Sequence, residues 1–150
     1  MDAPRTLEQR KADALAMLSA HHADVWVATA SAEGAAHLVP LSFAWDGTRV
    51  IVALMASSAT ARNLDASKRA RLAFGTTRDV LMVDARLVAS TAVGEDAATT
   101  ERYVAQADWD PRTSRAAYVY LSLEPRRMQV WRGANEIAGR TVMRAGEWLS

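Results

Sequence analysis

Residues 24–56 read DVWVATASAEGAAHLVPLSFAWDGTRVIVALMA. Three apolar runs lie in this stretch: DVWVATA, AHLVPLSFAW and TRVIVALMA. The first closes on the turn residues Ser31, Glu33 and Gly34, and the second closes on Asp46-Gly47. Asp-Gly favours the left-handed backbone of a tight hairpin, so strands joined by short turns are expected. No segment between them is long enough for a crossover helix. A doubly wound parallel sheet, the alternative, needs such helices after nearly every strand. Apolar residues occupy both faces of the runs, as in a barrel or a subunit interface and unlike a half-solvated sheet. Pro40 interrupts the second run. Proline cannot donate to a ladder, so this position is expected at an edge, at a bulge, or where a ligand replaces a strand partner.

Outward from this stretch the same architecture continues. Thr6-Leu7-Glu8-Gln9 has the form of a capping box, and Leu7, Ala14, Leu15 and Leu18 follow at helical spacing. A helix is expected over 7–20, ended by His21-His22-Ala23-Asp24. A second short helix is expected at 58–67 and a third at 95–107, the latter with acidic residues in its first turn. RLAFGTT, VLMVDARLVASTAV, AAYVYLSLEP and RRMQVWRG read as further strands, and 133–150 as a less regular tail. The sum is a mostly β (α+β) chain, one domain over residues 1–150. Its expected form is a barrel of about six to seven mainly antiparallel strands with short helices at the rim.

Composition narrows the function classes. Eighteen basic residues stand against 17 acidic ones, a balance that argues against non-specific nucleic-acid binding. The chain has no cysteine, hence no disulfide, thiolate metal site or Cys nucleophile. MDAPRTLEQR lacks the apolar core of a signal peptide, and no apolar run approaches a membrane span. A cytoplasmic protein without membrane partners is expected. The preference for Arg and Ala points to a GC-rich bacterial genome, an inference from coding bias.

The stretch ALMASSATARNL, residues 53–64, carries the most chemistry. A strand end runs through a Ser/Thr-rich turn into a helix. Ser57, Ser58, Thr60, the unpaired amides of a helix start and the Arg62 guanidinium together suit a phosphate dianion. The same residues also read as an ordinary N-cap followed by a solvated arginine. Other constellations are weaker. His21, His22 and Asp24 lack further ligands at metal-site spacing, so no metal is expected. Ser42 and His37 have no nucleophile elbow around them. Arg78-Asp79 reads as a turn, and Arg69, Arg71, Arg126 and Arg127 read as solvated surface charge.

VWVATASAEGAAHLVPLSFAWDG, SSATARNL and ARLAFGTTRDVLMV, in that order, resemble the pyridoxamine 5′-phosphate oxidase-like, FMN-binding split-barrel superfamily. Its short, actinobacterial-type members are the most similar, and the likeness runs over roughly residues 20–135. The resemblance implies a homodimer with a flavin in each of two clefts between subunits. It places the cofactor phosphate at Ser57, Ser58, Thr60 and Arg62, with Asn63 nearby. It places the flavin ring beside His37, Val39, Pro40, Leu41 and Ser42, which accounts for Pro40 as a ligand-side interruption. Trp131 and Arg132 then read either as a rim aromatic and a solvated arginine, or as a wall of the partner's cleft. The C-terminal Arg and His with which the true oxidase grips its vitamin phosphate have no counterpart in GRTVMRAGEWLS, so pyridoxal phosphate synthesis is not expected.

The implied activity is oxidoreduction of a small organic substrate, with the cofactor carrying the hydride. No catalytic acid or base stands out, and His37 and Ser42 are the only proton-handling candidates beside the ring. FMN is expected, because one close cation and three hydroxyls suit a compact dianion, whereas a long acidic tail wants a basic track. The deazaflavin coenzyme (F-420 type) is the competing cofactor. A non-catalytic flavin carrier or sensor is the alternative outside enzymes, and haem binding on the same fold is disfavoured by the shortage of His.

Overall fold

A computed structural model describes residues 2–150 of the chain. The first element is α1, Leu7–Ser19. Its capping box is present: Gln9 N–H donates to the Thr6 hydroxyl at 3.2 Å, and Thr6 N–H donates to Gln9 Oε1 at 2.8 Å. Ala14 and Leu18 are fully buried, while Leu15 stays exposed. One buried residue on α1 is charged. Arg10 donates through its guanidinium to the carbonyls of Glu136 (2.9 Å) and Val130 (3.3 Å), tying α1 to the C-terminal third of the chain.

The strands are β1 (Asp24–Ala30), β2 (Ala36–Trp45), β3 (Val50–Met55), β4 (Arg69–Thr76), β5 (Asp79–Ala92), β6 (Tyr118–Trp131), β7 (Thr141–Arg144) and β8 (Glu147–Trp148). Helix α2, Ala59–Ser67, follows β3, and α3, Ala97–Ala107, follows β5. The strands form one sheet in the order β3-β2-β1-β4-β5-β6-β7-β8, and β3 also pairs with β6. That extra pairing closes six strands into a barrel and leaves β7 and β8 as an appended hairpin. Every pairing is antiparallel, which removes the doubly wound alternative.

Two cores explain the apolar residues on both strand faces. Inside the barrel, Val27, Phe43, Val52, Leu72, Phe74, Leu81, Leu123 and Met128 pack together, with Phe43 and Phe74 edge-to-face at 4.9 Å. Outside it, Ala44, Ile51, Ala53 and Tyr120 pack under Tyr103 and Ala107 of α3. β3 is therefore buried on both faces. β1 is different: its outward Trp26 remains 49% exposed.

Three expectations are corrected. AAYVYLSLEP and RRMQVWRG are a single strand, β6. Asp84 faces Arg127 and Ala85 faces Pro125, so Arg126 is the extra residue of a bulge. A bulge leaves one residue out of the ladder, which lets the strand pass a proline that cannot donate. The tail over 133–150 is also more regular than expected. It holds β7 and β8, reversed at Ala145-Gly146, both at positive φ (53° and 79°). The sheet thus holds eight strands, of which six close the barrel, as the expected six to seven allows. Finally, α3 begins at Ala97, because the Asp96 carboxylate caps it by accepting from Thr99 N–H at 2.9 Å.

Candidate functional site

The site arises where β2 and β3 part. They pair only through Phe43–Val52, Ala44–Ile51 and Trp45–Val50. Beyond that, β2 runs on from Ser42 to Ala36 against β1 alone, and β3 runs on from Ala53 to Met55 against β6 alone. The gap is a cleft of about 350 Å³. One wall is β2: His37, Val39, Pro40, Leu41 and Ser42 all line it. Pro40 falls within the stretch that has no β3 partner, so its missing N–H breaks no ladder bond to that strand. The floor is Ala53, Leu54 and Met55.

Helix α2 closes one end of the cleft. Ser58 is its N-cap and accepts from Ala61 N–H at 3.1 Å. Ser58 and Thr60 line the cleft, and Thr60 is otherwise buried. A helix of this length starts with amides that no earlier turn can satisfy and presents its positive dipole end to the cleft. Ser57, Arg62 and Asn63 belong to the same turn but are not part of the cleft wall. Arg62 is exposed, and its guanidinium donates to the Ser57 carbonyl. Asn63 Nδ2 donates to Thr29 Oγ1 at 3.1 Å, which pins α2 to β1.

The far wall is aromatic, and the sequence reading did not include it. Trp109, in the loop after α3, and Tyr118, at the start of β6, both line the cleft. Their rings meet edge-on at 5.7 Å. Trp109 Nε1 donates to the Tyr103 hydroxyl at 3.0 Å, and burial pushes the Tyr103 phenol well above its ordinary pKa. Tyr103 is thus a neutral anchor for the Trp109 ring. The available signal was a tryptophan between two aspartates, Asp108 and Asp110, in a loop otherwise polar.

Trp131 and Arg132 lie elsewhere within the protomer. They sit at the opposite end of β6 from Tyr118. Trp131 faces Val80, and the Arg140 guanidinium stands 5.9 Å from its ring centre. Arg132 pairs with Asp79 at 3.1 Å and with Asp13 at 3.7 Å. Among the described residues no group of three or more His, Asp or Glu is placed to hold a metal. No helix there is long and apolar enough to cross a membrane.

A closed six-stranded antiparallel barrel, opened on one side between β2 and β3 and plugged there by a helix N-terminus, defines a split-barrel protein. The sequence profile of the pyridoxamine 5′-phosphate oxidase family matches residues 12–132, and the chain belongs to that family. Solved structures share the fold. An F420 reductase aligns over 75% of this chain and 94% of its own at 17% identity, with a TM-score of 0.63. A putative pyridoxamine 5′-phosphate oxidase from Listeria innocua aligns over 80% and 96% at 14% identity, with a TM-score of 0.61. HutZ, a heme storage protein from Vibrio cholerae, aligns over 95% and 100% at 15% identity, with a TM-score of 0.59. No curated protein sequence matches the chain.

Proposed function

We propose that the protein is a flavin-dependent oxidoreductase that binds FMN at a homodimer interface and passes a hydride to or from a small organic substrate. The observation that carries this reading is the parting of β2 and β3 at the N-terminus of α2. It sets a largely apolar slot beside a strand edge with no β3 partner, next to amides and hydroxyls suited to an anion. A flat ring with a phosphate at one end needs that combination. Val39, Leu41 and Leu54 would hold the ring away from water, Ser58 and Thr60 would meet the phosphate end, and exposed Arg62 would swing from the Ser57 carbonyl onto it. When bound, the cofactor supplies the hydride chemistry. His37 and Ser42 are the proton-handling side chains that share the cleft wall.

The dimer is supported by an uncovered face. Trp26 is 49% exposed and Leu38 is 59% exposed, on neighbouring strands whose register sets Trp26 against Pro40 and Ala28 against Leu38. A second copy on this face would bury them beside the cleft.

The deazaflavin coenzyme is the second reading. The near-zero net charge led to an expectation of no basic track for its acidic tail. The fold nevertheless gathers arginines on the sheet face beyond Thr29. Titration of the protein with FMN and with the deazaflavin coenzyme, followed by fluorescence, tests both. Micromolar binding of FMN supports the first reading, and clearly tighter binding of the deazaflavin replaces it with the second. Binding of neither overturns the flavin reading. Turnover with a reductant and an electron acceptor separates an enzyme from a carrier.

A further inference from the structure

A polar pocket of about 240 Å³ lies on the outer face of β3, β5 and β6, at the N-terminal end of α3. It has room for about eight waters at about 30 Å³ each. The β2–β3 turn contributes Asp46 and Arg49, and α3 contributes its cap Asp96 together with Thr99 and Arg102. Ser122 supplies a hydroxyl from β6, and Ile51, Ala89 and Ala98 are the apolar part of the wall. No lining residue is shared with the cleft between β2 and β3. β6 stands three strands from β1 in either direction round the barrel, so the pocket is across the barrel from Trp26 and the face proposed for a second copy.

Two arginines and two aspartates line this pocket, yet no ion pair forms among them. Elsewhere on the sheet such groups close on each other, as Arg71 does on Asp84 at 2.7 Å. Here the carboxylates are held by their own turns. Asp46 Oδ1 accepts from Thr48 N–H at 2.8 Å, from the Thr48 hydroxyl at 3.1 Å and from Arg49 N–H at 2.6 Å, and Oδ2 takes no hydrogen bond from the described residues. Burial pushes the Asp46 carboxyl up, but these donors and the charge of Arg102 hold it below the usual carboxylate range, so it is ionised at neutral pH. Asp96 spends both oxygens on Thr99, Oδ1 on its N–H at 2.9 Å and Oδ2 on its hydroxyl at 2.6 Å. The Arg49 and Arg102 guanidiniums make neither hydrogen bond nor ion pair with the described residues. Fixed charges of both signs that face one small space without meeting leave a gap for a ligand that carries both.

We infer that this pocket is a second binding site, for a free α-amino acid with a small aliphatic side chain. Arg49 and Arg102 take the carboxylate, which matches their planar forks, and Asp46 Oδ2 takes the ammonium. The side chain rests on Ile51, Ala89 and Ala98. An anion alone meets the Asp46 charge and a cation alone meets two arginines, so the pocket favours the zwitterion over either half. The site goes beyond the flavin reading and does not rest on it.

L-Valine is the probe, titrated into the isotope-labelled protein without cofactor and followed by heteronuclear NMR of the backbone amides. The amides of Thr48, Arg49, Thr99 and Ser122 should shift saturably, while those of the α2 turn, from Ser57 to Arg62, stay in place. Isovalerate lacks the ammonium and isobutylamine lacks the carboxylate, so each should bind at least about tenfold more weakly than valine. Arg49→Gln/Arg102→Gln breaks no ion pair of the described residues. It should keep the parent's circular dichroism and thermal midpoint and weaken valine binding at least about tenfold. The comparison of valine with its two fragments needs only the parent, so it decides the matter even where the double variant does not fold. Absence of saturable shifts at this pocket, either fragment binding as tightly as valine, or a folded double variant that binds valine as the parent does would each overturn the inference. None of these outcomes depends on whether FMN or the deazaflavin binds in the cleft.

Discussion

Arg5 and Glu136, 131 residues apart, are joined by a two-point ion pair: Arg5 Nη2 reaches Glu136 Oε1 at 2.6 Å and Arg5 Nε reaches Oε2 at 3.0 Å. The carboxylate also accepts the backbone N–H groups of Arg5 and Arg132, each at 2.8 Å. Side chains of both residues are at most 8% exposed. The Arg5 guanidinium lowers the Glu136 pKa most, burial pushes it back up, and the two backbone amides lower it further, leaving it at about 2 against an ordinary 4.5. This pair fastens the segment before α1 to the turn after β6.

Glu136→Gln keeps the shape and removes the charge, leaving Arg5 buried against a neutral amide. The expected loss is about 3 kcal/mol of folding stability, read by urea denaturation at neutral pH. In the parent the depressed pKa has a defined sign. Its stabilising contribution is complete above the unfolded pKa near 4.5 and disappears as pH falls toward about 2. The parent should therefore lose stability across that window, and Glu136→Gln should lose less. Parallel acid profiles for the two would show that the pair does not control the transition.

Gly75 is the most confined of the glycines. It lies in β4 at φ +82°, and a Cβ there would run into the Asp79 carbonyl oxygen while pressing on Met17 Sδ at 3.2 Å. Both the left-handed backbone and the carbonyl exclude a side chain. Gly75→Ala should cost about 2 kcal/mol or more. Gly34→Ala also meets positive φ but has open space around it, so it should cost less. Equal denaturation midpoints for the two variants would contradict this ranking.

Local chemistry was readable from the sequence where the determinants are near neighbours. Thr6 and Gln9 close their capping box, Asp46 closes the β2–β3 turn by accepting from Thr48 and Arg49 N–H, and His37 through Ser42 share a wall with Ser58 and Thr60. What escaped depends on distant pairing. Trp109 and Tyr118 reach the cleft only because β3 joins β6 across the barrel, setting Met55 against Tyr118. Proline was given too much weight as a strand breaker at Pro125, where a bulge absorbs it. Arg69 and Arg86 likewise become opposed only through the β4–β5 register.

Trp26 tests the dimer. Its exposed ring sits beside Leu38 and Pro40 on a face with no charged residue opposite it in β2 or β4, where its partners are Pro40 and Ala73. Trp26→Glu puts a charge at the centre of the proposed interface and leaves the barrel core untouched. Sedimentation should show a dimer for the parent at micromolar concentration and a monomer for the variant, with unchanged circular dichroism. A monomeric parent would remove the shared cleft.

Arg62 tests the phosphate turn. Its guanidinium rests on the Ser57 carbonyl and packs into no core, so its removal should leave folding nearly intact. Loss of one charge-assisted contact should weaken FMN binding by roughly 1.5–3 kcal/mol, about ten- to a hundredfold in Kd. Arg62→Lys keeps the charge and loses the fork, so it should fall between the parent and Arg62→Ala. Ser58→Ala is the complementary variant. Ser58 caps α2, so it should lower stability by about 1 kcal/mol as well as weaken binding, whereas Arg62→Ala should act on binding alone. If Arg62→Ala binds FMN as tightly as the parent, the phosphate is not held at this turn, and α2 serves the cleft only as a plug.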